Sequence, residues 1–234
     1  MVTNTLSIES RARADLTTAV TLLERVGIID FNGHFSVRLP DGNILINSGN
    51  SVRCALCAND FVVVTPDGNA PDNAPAPPAE LPLHLAVYQA RPDVHAVVHG
   101  HPEWSTLLSS TGNDYQVVLP QGALLGNIPV FESPMSVNND RIARAVASKL
   151  AGGRATLLRA HGSVVTGKDV LETTVMAIYL ELNAERQVRA GMLGMPYVFT
   201  QEETASLRAS LDKRGLFEKC WSYYVARFGL QGQP

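Results

Sequence analysis

The segment Val97–Ser105 reads VVHGHPEWS and places two of the six histidines of the chain two residues apart. Apolar, mostly β-branched residues precede His99, and Pro102 follows His101. Side chains at positions i and i+2 of a β-strand point to the same side of a sheet. The segment therefore predicts the end of a buried strand from which His99 and His101 project together, and the glycine between them removes bulk from the opposite side.

Two adjacent imidazoles in an apolar core need partners, because burying a polar group without a hydrogen bond costs free energy. A divalent metal ion satisfies both rings, and a hydrogen bond between the rings does so equally well. Residues 155–165 (ATLLRAHGSVV) repeat the arrangement, with an apolar strand, then His161, then a glycine. Three imidazoles from two strand ends favour a metal site with an open position for substrate.

A carboxylate and two further histidines lie near this cluster in the sequence. Glu80 begins a predicted helix, where the helix dipole alone favours a negative charge, so it is either a plain helix-start residue or part of the site. His84 follows one turn later on the same face of the helix. We predict that His84 supports the site from the core rather than binding metal. His95 begins its strand and is predicted to be solvated, although its parity matches that of His99.

The hydrophobic pattern alternates between helical and strand spacing along the chain. The predicted helices cover residues 10–26, 80–89, 139–150 and 169–190, with more helix in the tail at 200–228; the predicted strands cover 34–39, 44–46, 61–64, 95–98 and 155–159. Because hairpins and helical crossovers both occur, the pattern indicates an α/β fold with a mixed or antiparallel sheet. Residues 69–80, rich in proline and alanine, are either a linker or a surface loop. The continuous pattern on both sides favours a loop within a single domain spanning residues 1–234.

Composition narrows the class of protein. The chain has 234 residues, of which 45% are hydrophobic, which is enough for one sizeable core. No apolar run approaches the roughly 18–20 residues of a membrane helix, and the charged N-terminal segment is unlike a secretory signal. The net charge of −3 without a basic block argues against a nucleic-acid partner. We expect a soluble cytoplasmic protein that binds a small molecule.

The three cysteines are too few, and odd in number, for a disulfide scaffold. Cys54 and Cys57 form a single CALC motif, which is typical either of a redox or metal pair or of two small buried thiols in a loop. No second CxxC motif and no helix start of the redox type accompany the pair. The prediction is therefore two buried thiols, in keeping with a reducing cytoplasm.

Three segments, residues 33–47 (GHFSVRLPDGNILIN), 78–109 and 157–185, together resemble the class II aldolase/adducin family, and the similarity spans about residues 10–195. The resemblance implies an α/β/α layered fold with a central, mostly antiparallel sheet. It implies one divalent metal ion per subunit, held by His99, His101 and His161. It also implies that Glu80 contacts the metal in the free enzyme and acts as acid and base once substrate displaces it. Homotetramers with active sites at subunit interfaces, closed in part by the C-terminal tail, are implied as well.

The sugar-phosphate aldolases of this family bind phosphate through groups that this chain lacks. A serine pair before the glutamate is replaced by Pro78 and Ala79, and a threonine is replaced by Phe31. The family's TPTG loop is replaced by NSGN at residues 47–50. Because phosphate recognition needs clustered donors and positive charge, these changes predict a flatter, less hydroxylated, but still anionic substrate.

The asparagine of the family's GNxSVR strand is replaced by His34. We predict that His34 binds a carboxylate or phenolate of the substrate, with Ser48 or Asn50 nearby. The GHxSVR and LLRAHG forms resemble the aromatic-acid decarboxylases of the family, which implies a hydroxylated aromatic dicarboxylate as substrate and Mn²⁺, with Zn²⁺ as the alternative metal.

Two other functions remain open. One is an aldolase that acts on a non-phosphorylated hydroxy acid or aldehyde and uses the same metal residues. The other is an adducin-like scaffold. A scaffold can keep the fold and lose the metal residues, since fold alone does not imply function, so the complete set of three histidines and a glutamate disfavours it. Tyr223 and Tyr224 could reach a neighbouring site, but aromatic residues on a terminal helix are more typical of packing.

Overall fold

A seven-stranded sheet organises residues 7–230, the part of the chain that this computed structural model describes. The strands are β1 (His34–Arg38), β2 (Ile44–Asn47), β3 (Phe61–Val64), β4 (Ala96–Gly100), β5 (Val130–Phe131), β6 (Ala155–Leu158) and β7 (Gly162–Gly167). Their order is β3-β2-β1-β4-β7-β6-β5, and every neighbouring pair is antiparallel except β5 and β6. The predicted mixed, mostly antiparallel sheet is confirmed.

Helices cover both faces of the sheet. They are α1 (Ile8–Arg25), α2 (Leu81–Ala90), α3 (Glu103–Ser110), α4 (Asp140–Leu150), α5 (Val170–Leu193), α6 (Gln201–Leu211) and α7 (Arg214–Arg227). Helices α2 and α4 pack together on one face, whereas α1, α3, α5 and α7 share the core on the other. The α/β layered fold is confirmed. Among residues 7–230, no helix combines the length and the apolar character that crossing a bilayer requires.

Alternation along the strands separates the two cores. Phe35 and Val98 pack with α1 and α5 on one face, while Val97 and Val164 pack with α2 and α4 on the other. Since side chains two positions apart share a face, His99 lies on the same side as Val97. The α2 and α4 side of the sheet therefore carries the histidines.

Side-chain caps account for several helix starts. Asp169 accepts a hydrogen bond from the backbone N–H of Glu172 at 2.8 Å, as its position predicts, and Asn139 caps α4 in the same way. Thr200 and Glu203 form a reciprocal capping box at α6. Ends of helices α1, α2, α4 and α5 differ from the predicted ones by at most three residues.

Several features differ from the predictions. Helix α3 and strands β5 and β7 were not predicted. Two of these elements are short, since β5 has two residues and α3 only two turns. The prediction that Cys54 and Cys57 are buried is wrong: Cys54 lies within one short 3₁₀ turn, Cys57 immediately precedes another, and both thiols are exposed. Residues 65–80 join β3 to α2 without a regular element, as a loop should. The prediction about the N-terminal segment falls partly on residues 1–6, which lie outside the described residues.

Two glycines let the histidine-bearing turns approach the rest of the fold. A Cβ atom at Gly100 would overlap the backbone carbonyl oxygen of Ile28. A Cβ atom at Gly162 would overlap the carbonyl oxygen of Gly100 and lie 3.0 Å from Cδ2 of His101. The glycine inside HGH is therefore required by close packing.

Gly100→Ala is expected to lower the free energy of unfolding by about 2–3 kcal/mol, because a methyl group forced against backbone has no flexible neighbour to displace. Urea unfolding measures the effect. Gly152→Ala is the matched control, since no atom lies within 4 Å of its Cβ position, and we expect a change within about 0.5 kcal/mol. Equal effects of the two substitutions would contradict the packing explanation.

Candidate metal centre and cavity

Three histidines converge at the ends of adjacent strands. His99 is the penultimate residue of β4, His101 follows the strand, and His161 lies in the tight turn between β6 and β7 rather than on a strand. Ala160 adopts a positive φ of 52° in that turn. One possible ligand atom from each histidine lies within 4.8 Å of the others. The structure thus brings together the three histidines that the sequence singled out.

Hydrogen bonds orient two of these rings. Nδ1 of His99 lies 3.0 Å from the carbonyl oxygen of Ser163, so this nitrogen donates and leaves the lone pair on Nε2. Nδ1 of His101 lies 3.0 Å from Oδ2 of Asp30, which orients that ring in the same way. Such partners are typical of histidines that bind metals.

The two oriented rings face each other closely, with 3.1 Å between Nε2 of His99 and Nε2 of His101. Two lone pairs at this distance repel unless a proton or another cation lies between them. Burial lowers the pKa of His99 well below its usual value, which disfavours an extra proton on that ring. Three neutral imidazoles are a donor set that suits zinc, manganese, iron or cobalt. This cluster could therefore hold a divalent metal ion.

Glu80, immediately before α2, directs its carboxylate into this cluster. Its side chain makes no capping hydrogen bond to the helix. Instead, Oε2 lies 3.2 Å from Nε2 of His34 and 3.3 Å from Nε2 of His99. Oε1 accepts hydrogen bonds from the Val137 N–H at 2.6 Å and the Ser136 hydroxyl at 2.9 Å. The interpretation of Glu80 as a plain helix-start residue is not what the geometry shows.

The environment keeps the Glu80 carboxyl group ionised. Burial by itself raises its pKa. The hydrogen bond from His34, the nearby His99 and the Val137 N–H together outweigh burial and hold the pKa of Glu80 well below its usual range. Near neutral pH, Glu80 is therefore a carboxylate anion beside the three histidines.

A chain of buried polar groups runs behind Glu80. Nδ1 of His34 lies 2.7 Å from Nε2 of His84, and Nδ1 of His84 lies 2.6 Å from the Ser36 hydroxyl. That hydroxyl is 2.8 Å from the hydroxyl of Tyr88. His84 is fully buried and supports the site from the core, as its position predicts. Both ring nitrogens of His34 already have protein partners, so its predicted role in binding substrate stays a prediction.

A cavity of about 550 Å³ opens in front of the histidines. The residues that line it are Asn32, His34, Gly49, Asn50, Arg53, Pro77, Pro78, Ala79, Glu80, His101, Ser136 and His161. Pro78 and Ala79 thus form part of the cavity wall. Asn50 lines the cavity. Ser48 is not among the lining residues; it is buried, and its hydroxyl donates to the carbonyl oxygen of Ala76. Phe31 is 78% exposed and His95 is also exposed to solvent.

Three residues at the site were not predicted from the sequence: Asp30, Ser136 and Arg53. Asp30 orients His101, and Ser136 donates to Glu80. Arg53 is only 3% exposed, yet it lines the cavity. None of the three belongs to a motif, and each reaches the site only through the folding of a loop.

Comparison with known proteins identifies a family and several enzymes whose sequences are similar to this chain. The model of the family described as "Class II Aldolase and Adducin N-terminal domain" matches residues 14–188. The 3-oxo-tetronate 4-phosphate decarboxylase of Escherichia coli is 31% identical over 86% of this chain and 97% of its own length. The 3,4-dihydroxyphthalate decarboxylase of a Terrabacter species is 28% identical over 85% of this chain and 89% of its own length. The methylthioribulose-1-phosphate dehydratase of Gluconobacter oxydans is 36% identical over 59% of this chain and 72% of its own length.

Solved structures agree on the fold. The L-fuculose 1-phosphate aldolase from Glaciozyma antarctica superposes with a TM-score of 0.84 at 20% identity, covering 96% of this chain and 91% of that enzyme. The relatives of this chain by sequence are lyase-type enzymes, which include decarboxylases, aldolases and dehydratases. The chain belongs to the class II aldolase and adducin family.

Proposed function

We propose that this protein is a metal-dependent carbon–carbon lyase that decarboxylates a hydroxylated aromatic dicarboxylate. The observation that carries the proposal is the site itself: three converging imidazoles and the ionised Glu80 adjoin a cavity lined by Pro78 and Ala79, at the positions where the family resemblance implies hydroxyl donors in sugar-phosphate aldolases. A planar, anionic substrate fits this cavity better than a sugar phosphate, since phosphate needs clustered donors.

His99, His101 and His161 would hold the metal, with Mn²⁺ favoured over Zn²⁺. A divalent metal, when bound, supplies Lewis-acid stabilisation of the charge that C–C cleavage leaves on the substrate. Asp30 and the carbonyl of Ser163 keep the rings of His101 and His99 oriented, so their Nε2 lone pairs stay available.

Glu80 moves the proton that decarboxylation requires. Because its carboxylate is ionised in the resting site, it first takes the proton of the substrate hydroxyl at Oε2, next to His34. Glu80 then delivers this proton to the ring carbon that bears the leaving carboxylate, which gives the keto tautomer. The C–C bond breaks, CO₂ departs, and the electron pair of the broken bond restores the aromatic ring with the ring oxygen as a phenolate. The N–H of Val137 and the hydroxyl of Ser136 hold Oε1 in place during both transfers.

Among the named relatives, one supports this choice of substrate class, whereas the others are named for phosphorylated substrates. The supporting relative is a decarboxylase of 3,4-dihydroxyphthalate, a hydroxylated aromatic dicarboxylate. We propose 3-hydroxy-2-methylpyridine-4,5-dicarboxylate, an intermediate of vitamin B6 breakdown, as the first compound to test, because it pairs a ring hydroxyl with two adjacent carboxylates.

Release of CO₂ from that dicarboxylate by the Mn²⁺-loaded protein is the expected result. A parallel retro-aldol assay with non-phosphorylated hydroxy acids tests the alternative aldolase function, which the same metal residues would serve. Aldehyde formation without CO₂ release would replace the decarboxylase by the aldolase. Addition of a chelator should stop whichever reaction occurs.

Asp30→Asn is expected to weaken metal affinity about 10- to 100-fold, because a neutral amide orients and polarises His101 less well than a carboxylate. Titration against a competing chelator measures the change. Asp41→Asn is a matched control. Each of the two aspartates accepts a hydrogen bond from the backbone N–H two residues later, but Asp41 lies in an exposed turn. An unchanged metal affinity in Asp30→Asn would contradict the role of Asp30.

We also propose that the protein forms homotetramers with sites at subunit interfaces. The end of α5 and the segment that follows it support this arrangement, because they expose a group of large apolar side chains, which a monomer seldom does; these are Met192, Leu193, Met195 and Tyr197. Light scattering should give four times the mass of the chain, and a mass of one chain would contradict the proposal.

A further inference from the structure

Arg53 is a buried cation whose hydrogen bonds are unevenly distributed. Its Nε donates to the carbonyl oxygen of Gly33 at 2.6 Å, and its Nη1 donates to the carbonyl oxygens of Ser48 and Ser51. Nη1 also contacts the Ser51 hydroxyl. Within residues 7–230, no acceptor is found for Nη2, although the side chain is 3% exposed and lines the cavity.

The charge of Arg53 also lacks a direct counterion in the part of the chain that the structure describes. No carboxylate there lies within 4.0 Å of the guanidinium group; Asp30 and Asp60 act on it only from farther away. A buried charge without a partner is costly, so such groups are normally paired or hydrogen-bonded. An anion in the cavity would satisfy both deficits at once.

Three backbone carbonyl groups anchor the rest of the guanidinium plane. Because the group is planar and rigid, fixing Nε and Nη1 also fixes the direction of the two Nη2 hydrogens. Asn50 and Asn32 line the same cavity, and their amides add neutral donors. One guanidinium nitrogen with free hydrogens, in a cavity that two amides also line, suits a carboxylate with its two acceptor oxygens better than a phosphate group with three or more.

We infer that Nη2 of Arg53 binds a substrate carboxylate, so that the enzyme selects compounds with a second carboxylate beyond the one beside the histidines. The identity of the substrate rests on the proposed function, but the anion site itself rests on Arg53 alone. His34, whose ring nitrogens are both occupied by protein groups, is then a neighbour of Glu80 rather than the main carboxylate partner.

Two probe compounds test this inference by calorimetry on the Mn²⁺-loaded protein. Salicylate carries a hydroxyl and one adjacent carboxylate, and 3-hydroxyphthalate adds a second carboxylate next to the first. We expect 3-hydroxyphthalate to bind about 10- to 100-fold more tightly, in line with a charge-assisted hydrogen bond in a buried site. In competition titrations, inorganic phosphate should displace bound 3-hydroxyphthalate less effectively than phthalate does.

Arg53→Met should reduce the ratio of the two affinities to about threefold or less, since it removes that hydrogen bond, and leave salicylate binding in place. Arg38→Met is the matched control: Arg38 also donates to backbone carbonyls from a partly buried position, but it packs on Tyr88, away from the cavity. It should keep the full ratio. An unchanged ratio in Arg53→Met, or phosphate as the tighter Arg53-dependent ligand, would overturn the inference.

A crystal structure of the unsubstituted protein with 3-hydroxyphthalate gives an answer even if Arg53→Met does not fold. A carboxylate oxygen within hydrogen-bonding distance of Nη2 is expected, and a ligand with both carboxylates elsewhere overturns the inference. Failure of the proposed function has a different signature. In that case no CO₂ is released, while the Arg53-dependent preference for the second carboxylate persists.

Discussion

His99→Ala is expected to remove the metal and the activity together. His99 is completely buried and supplies an Nε2 lone pair that faces His101 at 3.1 Å, so alanine leaves a hole in place of the proposed ligand. The two remaining histidines do not provide the three ligands typical of such sites. We expect kcat/KM to fall about a thousandfold or more, since the loss includes the Lewis acid itself. Elemental analysis of the purified protein and CO₂ release measure the two effects.

His95→Ala provides the control for this substitution. His95 immediately precedes the same strand, but its side chain is exposed to solvent and outside the cavity. We expect this variant to keep its metal and its turnover, with stability changed by no more than about 0.5 kcal/mol. Full metal content in His99→Ala would contradict the assignment of His99 as a ligand.

Glu80→Gln is expected to separate metal binding from turnover. The amide oxygen can still accept from the Val137 N–H, and the histidines are untouched, so most of the metal should remain. An amide cannot take up and return a proton, and we expect kcat to fall by about 10²- to 10⁴-fold. Steady-state CO₂ release, with metal content measured on the same sample, tests this expectation.

Glu202→Gln is the corresponding control, because Glu202 is an exposed glutamate on α6. Its substitution should leave both kcat and KM unchanged. Near-normal turnover in Glu80→Gln would remove Glu80 from the mechanism. A parallel loss of metal would instead make Glu80 chiefly a ligand.

The parts of the site that the sequence could predict follow from local geometry. His99 and His101 lie two residues apart at a strand end, so strand periodicity alone places them on one side. Helices α4 and α5 are capped by Asn139 and Asp169, and their starts were predicted to within one residue. These features depend on local spacing and on local hydrogen bonds, which can be recognised in the sequence.

Other features depend on strand order and register, which local pattern does not determine. His34 meets His99 because β1 pairs with β4 and places these two residues opposite each other. The contact between His34 and His84 then requires α2 to pack over that strand pair. The grouping of His34 with Glu80 is therefore a tertiary result, although each residue was singled out separately.

Arg53 shows why loops are the hardest part of a site to predict. In the sequence it is one arginine beside an exposed CxxC motif, with no periodicity and no neighbour of known role. Its burial results from three backbone carbonyls that a folded loop aims at one guanidinium group. Cys54, the next residue, is exposed for the same reason, since the turn that buries Arg53 directs its neighbour outward.

The central claim is that His99, His101 and His161 together hold one divalent metal ion beside Glu80. Anomalous diffraction at the manganese edge, from crystals of the Mn²⁺-loaded protein, tests it most directly. We predict a single strong peak per chain, within bonding distance of one nitrogen from each of the three histidines. A peak bound by other residues, or no peak in protein that carries manganese in solution, would contradict the claim.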